Sequence, residues 1–220
     1  MKKKVVLPDF DAVIFDMDGS LVDSMWMWKE IDKEYLGGLG IELPKDLQSK
    51  IEGMSFTETA QFIKKEFGIK DDIETMKKQW NQMAYEAYRT KVPYKKGALE
   101  FLKWCKANGK KLGIATSNSR ELVDNVGEVL KFPEFFDCII TSCEVKKGKP
   151  APDVYLAVAE KLGVRPDRCI VFEDVVAGIM AGKNAGMTVI AVEDEYSAEM
   201  REKKKELADD YINDYTDLEY

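Results

Sequence analysis

Five short segments of the sequence are densely apolar and show no alternation with polar residues, and this feature most restricts how the chain can fold. They span residues 11–16, 111–116, 138–141, 169–174 and 188–192. A strand with one face in water alternates apolar and polar residues, whereas a strand of a parallel sheet covered on both faces is apolar throughout. The sequence therefore predicts a parallel sheet with helices on both sides.

Segments typical of amphipathic helices lie between the later strands. They cover residues 99–109, 122–129, 154–163 and 179–186. Three of them end at a glycine, which closes a helix readily because it adopts the left-handed conformation without strain. Strand and helix thus alternate from residue 97 onward. This order favours the α/β class, with a doubly wound, Rossmann-like parallel sheet.

Residues 23–92 interrupt the alternation, because they contain helical patterns but no convincing strand. The segment Ser55–Glu58 is a capping box that begins one helix, and Asp71-Asp72 precedes another. We therefore expect two domains. Residues 1–22 and 93–220 would form the α/β catalytic core, and residues 23–92 an inserted helical cap.

The sequence contains no histidine. This absence excludes Ser-His-Asp and Cys-His catalysis, histidine-ligated zinc and an imidazole general base. Proton transfer must then be carried out by Asp, Glu, Lys, Tyr or Cys. Since carboxylates are the main candidates, chemistry that uses a hard cation such as Mg²⁺ is the natural expectation.

Charge and composition indicate which binding partners and which cellular compartment to expect. The net charge of −7 opposes binding to nucleic acid, which requires clustered Lys and Arg. The basic start Lys2–Lys4 is followed by an apolar run that stops at Pro8, too short for an export signal, and no segment is long enough to span a membrane. The cysteines show no CxxC spacing, as expected for reduced thiols. We expect a cytoplasmic protein that is a monomer or a weak homo-oligomer.

Polar side chains that suit phosphate chemistry follow the predicted strands. In an open parallel sheet, ligands bind at the carboxyl ends of the strands. These ends, together with one nearby loop, carry Asp16 and Asp18, Thr116 and Ser117, Glu173 and Asp174, and Lys149. Mg²⁺ prefers carboxylate oxygens, and phosphoryl transfer needs an in-line nucleophile and nearby positive charge. The sequence therefore predicts metal-assisted phosphoryl transfer.

Each of these residues has a chemical role and a structural alternative. Asp16 could attack phosphorus, Asp18 could transfer the proton, Thr116 offers a hydroxyl and Lys149 a positive charge. Taken singly, an aspartate in a turn, a threonine in a loop or a lysine in the charged run Lys146–Lys149 is more often structural. Their appearance in order at successive strand ends favours the catalytic interpretation.

The string Asp16–Ser24, DMDGSLVDS, resembles the first motif of the haloacid dehalogenase superfamily, DxDG(T/S)LxDS. Thr116, Lys149–Asp153 and Phe172–Asp174 are similar to its second, third and fourth motifs, in the same order. The helical insertion resembles the branch that includes phosphoglycolate phosphatases and β-phosphoglucomutases. The resemblance spans nearly the whole chain and implies a hydrolase of small phosphate esters.

The resemblance also implies a role for the acidic residues. Asp16 would be the nucleophile that forms an aspartyl phosphate, and Asp18 the acid/base. The Asp16 carboxylate, the Asp18 backbone carbonyl and Asp174 would hold Mg²⁺, with Glu173 as a direct or water-mediated ligand. True dehalogenases lack the second aspartate and need no metal, so Asp18 argues for a phosphate substrate.

Further matched residues are expected to contact the substrate. By the resemblance, Thr116 binds the phosphoryl group and Lys149 offsets its charge. The cap loop Gly53-Met54-Ser55 is similar to the loop that faces the active site in this branch. Ser117 and Asn118 are additional candidates for substrate contacts.

Two alternatives to a phosphatase remain open. The phosphomutases of this branch carry a histidine and an arginine where this chain has Trp28 and Phe56. This difference favours a phosphatase of a small metabolite, such as a sugar or short polyol phosphate, over a β-phosphoglucomutase-like phosphomutase. A non-catalytic Mg²⁺-binding regulatory protein is disfavoured, since such a protein has no need of Asp18.

Overall fold

The computed structural model describes residues 4–220 of the protein. The first part of the basic start, on which the expectation about export depends, lies outside the described residues. The described strands are β1 (Val5–Val6), β2 (Ala12–Phe15), β3 (Lys111–Thr116), β4 (Cys138–Thr141), β5 (Cys169–Glu173), β6 (Thr188–Val192), β7 (Asp210–Ile212) and β8 (Leu218–Glu219).

Six of these strands form one parallel sheet in the order β4-β3-β2-β5-β6-β7, and β1 pairs with β8 in a separate parallel pair. The five predicted strands are all present, so the predicted parallel sheet is confirmed. The sixth strand, β7, was not predicted. It is a short edge strand whose burial changes from exposed at Asp210 to buried at Ile212, so it lacks the continuous apolar run of a central strand.

The chain forms ten α-helices within residues 4–220. They are α1 (Met25–Gly38), α2 (Leu47–Ile51), α3 (Phe56–Phe67), α4 (Ile73–Thr90), α5 (Ala98–Ala107), α6 (Arg120–Val129), α7 (Phe132–Phe135), α8 (Asp153–Leu162), α9 (Val176–Asn184) and α10 (Arg201–Leu207). Short 3₁₀ helices occur at Ser142–Glu144, Pro166–Arg168, Glu195–Met200 and Tyr215–Asp217. No helix in this part of the chain is both long and apolar enough to cross a membrane.

Successive residues of β2 pack on opposite faces of the sheet. Ala12 and Ile14 contact the cluster built with α8 and α9, whereas Val13 and Phe15 contact the cluster built with α5 and α6. Side chains alternate in this way in any strand, and here both faces are covered, so the whole strand is apolar. The fold is therefore the predicted doubly wound α/β arrangement.

The segment between β2 and α5 contains the helices α1–α4 and no strand, as the sequence predicts. Ser55 accepts a hydrogen bond from the Glu58 amide and so caps α3, and Asp72 caps α4 by accepting from the Thr75 amide. The Phe56 amide donates to the Ser117 carbonyl at 2.8 Å, which joins this helical segment to the loop after β3. The division into two domains stays a prediction.

Strand order places the carboxyl ends of β2, β3 and β5 side by side. The chain leaves β2 toward β3 on one side and later enters β5 on the other side. Such a reversal of strand order opens a crevice at the carboxyl ends of the strands, where ligands bind in open α/β sheets. The predicted acidic residues and the loop that begins at Thr116 lie at these three strand ends, whereas Lys149 lies in the loop between β4 and α8.

Candidate active site

A cavity of about 910 Å³ lies between the helical segment and the carboxyl ends of the strands. Most of the predicted site residues line it: Asp16, Asp18, Gly53, Met54, Thr116, Ser117, Asn118, Lys149 and Asp174. The Glu173 carboxylate lies beneath the wall, within the same acidic cluster as Asp16 and Asp174. Ser55 is next to the cavity rather than on its wall, because its hydroxyl caps α3.

Lys149 joins two of the predicted acidic residues. Its Nζ lies 2.6 Å from Asp16 Oδ1 and 2.6 Å from Glu173 Oε1. All three side chains are nearly inaccessible to solvent. A buried ion pair is tolerable only where its hydrogen bonds are satisfied, and this lysine is satisfied by the two carboxylates and by the Ala115 carbonyl at 3.4 Å. Lys149 is therefore not part of a solvated charge run.

Glu173 is held from all sides by the protein. Its Oε1 also accepts from the Tyr155 hydroxyl at 2.9 Å, and its Oε2 accepts from the backbone amides of Asp174 and Val175. Close packing completes the enclosure, because a Cβ at Gly178 would lie 1.6 Å from Glu173 Oε1. The sequence contained no signal that would identify Tyr155 or Gly178 as neighbours of this carboxylate.

Asp174 has one oxygen that no protein group contacts. Oδ1 accepts from the Ser20 hydroxyl at 2.8 Å, whereas Oδ2 is buried and has no hydrogen-bond partner among the described residues. Gly19 approaches this oxygen closely: a Cβ there would lie 2.2 Å from Oδ2, and its φ of +79° also favours glycine. Buried polar atoms normally have a hydrogen-bond partner, so a buried carboxylate oxygen without one fits the role of a cation ligand.

Four hydrogen-bond donors converge on the Asp18 carboxylate. Ser24 Oγ and Trp28 Nε1 donate to Oδ1 at 2.5 Å and 3.1 Å, the Tyr88 hydroxyl also donates to Oδ1, and Asn118 Nδ2 donates to Oδ2. Trp28 and Tyr88 come from α1 and α4. The orientation of Asp18 is thus set partly by the helical segment. Sequence reasoning missed Tyr88, because nothing distinguishes it from the other tyrosines of the chain.

The loop after β3 presents polar groups to the cavity. Thr116 is buried, and its hydroxyl oxygen accepts from the Asn118 amide at 3.2 Å, which leaves the hydroxyl hydrogen free to donate to a ligand. Ser119 caps α6 by accepting from the Leu122 amide and donates to Asn81 Oδ1 in α4 at 2.9 Å. The loop is therefore held on both sides, by α6 and by the helical segment.

The predicted cap loop meets the core beside Lys149. Gly53 has a φ of +80°, and a Cβ there would lie 2.8 Å from the Lys149 carbonyl oxygen. Glu52 Oε1 accepts from the Ala177 amide near the start of α9 at 2.9 Å. Above the loop, Phe56 packs edge-on against Trp80 with ring centroids 5.6 Å apart. Aromatic side chains therefore form the apolar part of the roof.

Burial controls the ionisation of these carboxyl groups. Burial raises the pKa of Asp16, while the Lys149 charge acts in the opposite direction. Burial, followed by the Glu173 charge, raises the pKa of Asp174 well above its ordinary value. Burial also raises the pKa of Asp18, although its four donors oppose the shift. Burial lowers the pKa of Lys149, but the two carboxylates outweigh it, so the net shift is upward and the lysine is charged.

The sequence matches the family model described as haloacid dehalogenase-like hydrolase over residues 13–192. This range contains every residue of the site described above, and it covers the helical segment as well as the sheet from β2 to β6.

Proteins similar to this chain include two phosphatases and a phosphomutase. Phosphorylated carbohydrates phosphatase from Thermotoga maritima is 33% identical over 178 residues, covering 80% of this chain and 82% of that protein. Hexitol phosphatase B from Escherichia coli K12 is 28% identical over 199 residues, covering 82% of each. The crystal structure of β-phosphoglucomutase from Clostridium difficile aligns with a TM-score of 0.78 at 25% identity, covering 96% of this chain and 94% of that one.

Proposed function

Because the chain belongs to the haloacid dehalogenase-like hydrolase family and is a phosphoric monoester hydrolase, we propose that it hydrolyses its substrate through Asp16 and Asp18 with the aid of Mg²⁺. The observation that carries this proposal is the buried contact of Lys149 with both Asp16 and Glu173, beside the unpartnered oxygen of Asp174. The carboxylates can bind a cation at the strand end. The cation and Lys149 can then attract the phosphate of the substrate.

In the first step, an Asp16 oxygen attacks phosphorus in line with the ester oxygen. The bond from phosphorus to the leaving oxygen breaks, and an aspartyl phosphate forms. Asp18 gives its proton to the leaving oxygen, so the leaving group departs as a neutral alcohol. The raised pKa of Asp18 suits a group that must carry a proton at the start of this step.

In the second step, water hydrolyses the aspartyl phosphate. Asp18, now a carboxylate, removes a proton from the water, whose oxygen attacks phosphorus. The bond between phosphorus and the Asp16 oxygen breaks, which releases inorganic phosphate and regenerates the carboxylate. Thr116 donates its hydroxyl hydrogen to a phosphoryl oxygen, and Lys149 offsets the negative charge of the group.

The donor set fits a magnesium ion. Asp16, the backbone carbonyl of Asp18 and Asp174 Oδ2 would hold it, all of them oxygen ligands of the type that Mg²⁺ prefers. Within residues 4–220, no backbone amide in a turn or loop donates to the Asp18 carbonyl oxygen, so that oxygen is also available. When bound, the ion supplies positive charge against the phosphoryl oxygens.

We assign Glu173 a different role from the one expected. Both of its oxygens already accept hydrogen bonds, from Lys149, Tyr155 and two backbone amides. Direct ligation would remove at least one of these bonds from a fully buried carboxylate, which costs free energy. We therefore propose that Glu173 holds Lys149 in place and does not ligate the ion directly.

The substrate proposed is a sugar or polyol phosphate. The names of two relatives, a phosphorylated carbohydrates phosphatase and a hexitol phosphatase, support this class.

We also propose that the protein is cytoplasmic, is a monomer or weak homo-oligomer, and does not bind nucleic acid. The non-catalytic alternative is not retained, since the family is one of hydrolases and two of the relatives are phosphatases.

A phosphomutase is the second candidate, because the β-phosphoglucomutase structure shares the fold. Trp28 argues against it. The indole Nε1 of Trp28 is a donor only and contacts Asp18 at 3.1 Å, so this residue cannot accept or relay a proton as a histidine can. Formation of glucose 6-phosphate from β-glucose 1-phosphate faster than release of phosphate would establish the mutase instead.

Hydrolysis of p-nitrophenyl phosphate tests the proposed function. We expect turnover that requires Mg²⁺, stops with a chelator and is absent in Asp16→Asn. Asp23→Asn is the matched control, because Asp23 lies in the same motif but is exposed. Wild-type protein that releases no phosphate from this ester or from a panel of sugar phosphates would refute the proposal.

A further inference from the structure

A buried carboxylate without a catalytic role lies on the cap side of the cavity. Asp32, in α1, is 9% exposed and lines the cavity wall. Its Oδ2 accepts a hydrogen bond from Gln48 Nε2 at 2.6 Å, and no Lys or Arg of the described chain forms an ion pair with it. Burial raises the pKa of Asp32 to about 7, against the opposing effect of Gln48. A buried carboxylate is costly unless its hydrogen bonds are completed.

The helix α1 carries both Asp32 and a residue that contacts Asp18. Trp28 and Asp32 are four residues apart, so they share one face of the helix. Trp28 contacts the Asp18 carboxylate, which faces the leaving oxygen in the proposed mechanism. One helical turn advances about 5 Å along the axis. Asp32 therefore lies about one helical turn from the residue that contacts Asp18, on the wall of the same cavity.

Unpaired polar groups accompany Asp32 on the same cavity wall. The Tyr196 hydroxyl, from the 3₁₀ helix Glu195–Met200, is buried and has no hydrogen-bond partner among the described residues. Burial, followed by the Asp32 charge, raises the pKa of Tyr196, and both residues line the cavity. Trp80 is 3% exposed, and its Nε1 also lacks a partner in the described chain. Tyr196 and Trp80 thus line the same cavity as Asp32, and neither of their polar atoms has a hydrogen-bond partner within residues 4–220.

The charge of this wall argues against a second anionic group on the substrate. Apart from the catalytic residues, the acidic residues on the wall are Asp32, Asp46, Glu52, Glu195 and Glu199, and the basic ones are Lys29 and Lys45. Asp46, Glu195 and Glu199 are exposed, so repulsion between like charges is strongest at the buried Asp32 and the half-buried Glu52. A leaving group that carries a phosphate or carboxylate of its own would meet this excess of negative charge.

We propose that Asp32, oriented by Gln48, is a subsite that binds hydroxyl groups of the leaving group and so selects neutral polyhydroxylated phosphate esters. The inference rests on the proposed function, because it assigns the substrate class of the same site. The Asp32 oxygen that Gln48 does not contact, Oδ1, accepts a hydrogen bond from a substrate hydroxyl. A site built to bond hydroxyls discriminates against analogues that lack them.

The test compares esters that share a chain length but differ in their hydroxyls. Values of kcat/KM are measured for mannitol 1-phosphate and n-hexyl phosphate, with ethanolamine phosphate as an ammonium probe and phosphoglycolate as an anionic one. The variants are Asp32→Leu and the milder Asp32→Asn. The control is Glu30→Gln, which removes one charge from an exposed position of the same helix.

We expect wild type to prefer mannitol 1-phosphate over n-hexyl phosphate, and Asp32→Leu to reduce that preference by about 10- to 100-fold. Hydrolysis of p-nitrophenyl phosphate, which has no hydroxyl to bind, should change by less than about 2-fold. Asp32→Asn should also relax the exclusion of phosphoglycolate. A structural defect would lower all of these rates together and leave the ratio unchanged.

An unchanged ratio in both variants would overturn the subsite, as would a wild-type preference for ethanolamine phosphate over mannitol 1-phosphate. Either result leaves the proposed function standing, because turnover of p-nitrophenyl phosphate reports the catalytic residues alone. Absence of p-nitrophenyl phosphate turnover in the wild-type protein would instead refute the proposed function.

Discussion

The ammonium nitrogen of Lys149 lies 2.6 Å from Asp16 Oδ1, although the two residues are separated by 133 positions in the sequence. The contact is buried, and Glu173 completes it from the other side at the same distance. One positive charge is thus shared by two carboxylates at the edge of the sheet. The geometry leaves the second Asp16 oxygen free to face the cavity, and several consequences can be measured.

Replacement of Lys149 by methionine should lower kcat/KM for p-nitrophenyl phosphate by at least about 100-fold. The variant removes the charge that would offset the phosphoryl group, and loss of one such preorganised contact has an effect of this size. Lys147→Met, in the same run but exposed, is the control and should keep full activity. Equal effects of the two substitutions would contradict the role given to Lys149.

Replacement of Gly178 by alanine should disturb the site by displacing the Glu173 carboxylate. Its Cβ would lie 1.6 Å from Glu173 Oε1, so the carboxylate must move away from Lys149 and Tyr155. We expect a loss of about 2 kcal/mol in the free energy of unfolding, measured in urea, and at least a 10-fold loss of kcat. Gly37→Ala, where a Cβ meets no neighbour, should be neutral or slightly stabilising. Wild-type activity in Gly178→Ala would show that Glu173 need not be held in this position.

Removal of the Tyr88 hydroxyl should slow hydrolysis most for esters with poor leaving groups. Tyr88 donates to Asp18, and Asp18 is proposed to protonate the leaving oxygen. An alkoxide needs that proton, whereas p-nitrophenolate does not. In Tyr88→Phe we expect kcat/KM for an alkyl phosphate to fall by about 10-fold, and that for p-nitrophenyl phosphate by much less. Tyr85→Phe, on the same helix, is the control. Equal losses for both esters would indicate a general structural effect.

Magnesium should stabilise the folded protein through Asp174. An ion at about 100 times its dissociation constant adds about 2.7 kcal/mol to the free energy of unfolding. We expect Mg²⁺ to raise the melting temperature of wild type but not that of Asp174→Asn, since Asp174 Oδ2 is the oxygen left without a protein partner. The exposed Asp124→Asn should respond like wild type. A full Mg²⁺ response in Asp174→Asn would remove Asp174 from the ligands.

The pKa of Asp32 predicts a pH dependence of stability. Burial raises it from 3.8 to about 7, so between these values the folded protein binds more protons than the unfolded chain. The contribution of Asp32 to stability therefore falls as pH rises through this window. Relative to wild type, Asp32→Asn should gain roughly 2 kcal/mol between pH 5 and pH 8, measured by urea unfolding. A difference that does not vary with pH would contradict the shift.

The positions of the proposed catalytic residues were predictable because they follow a local rule. Asp16, Thr116 and Asp174 each stand at or just after the end of a continuous apolar strand, and parallel strands end at a common edge. The strands themselves could be recognised because burial on both faces demands an apolar residue at every position. The family, the doubly wound sheet and the phosphatase class are confirmed, and the individual roles of the residues stay predictions.

The groups that surround those residues could not be predicted. Tyr88 and Asn118 reach Asp18 across 70 and 100 positions of sequence, and Tyr155 reaches Glu173 from the opposite side of the sheet. Tyr88 and Tyr155 lie in helices whose pattern is explained by packing alone, and Asn118 was expected to contact the substrate rather than Asp18. Nothing in the neighbouring residues records which distant carboxylate a tyrosine will contact, because that depends on how helices pack over the sheet.

The sequence by itself determined the fold class, the family and the edge of the sheet where the acidic residues meet, since these depend on local periodicity and on short motifs. Only the tertiary structure decided that both Glu173 oxygens are already used, that one Asp174 oxygen is unpartnered, and that Asp32 faces the cavity with Gln48 as its hydrogen-bond partner. The physical reason is that burial and hydrogen-bond satisfaction belong to groups brought together from distant parts of the chain, and local sequence carries no information about them.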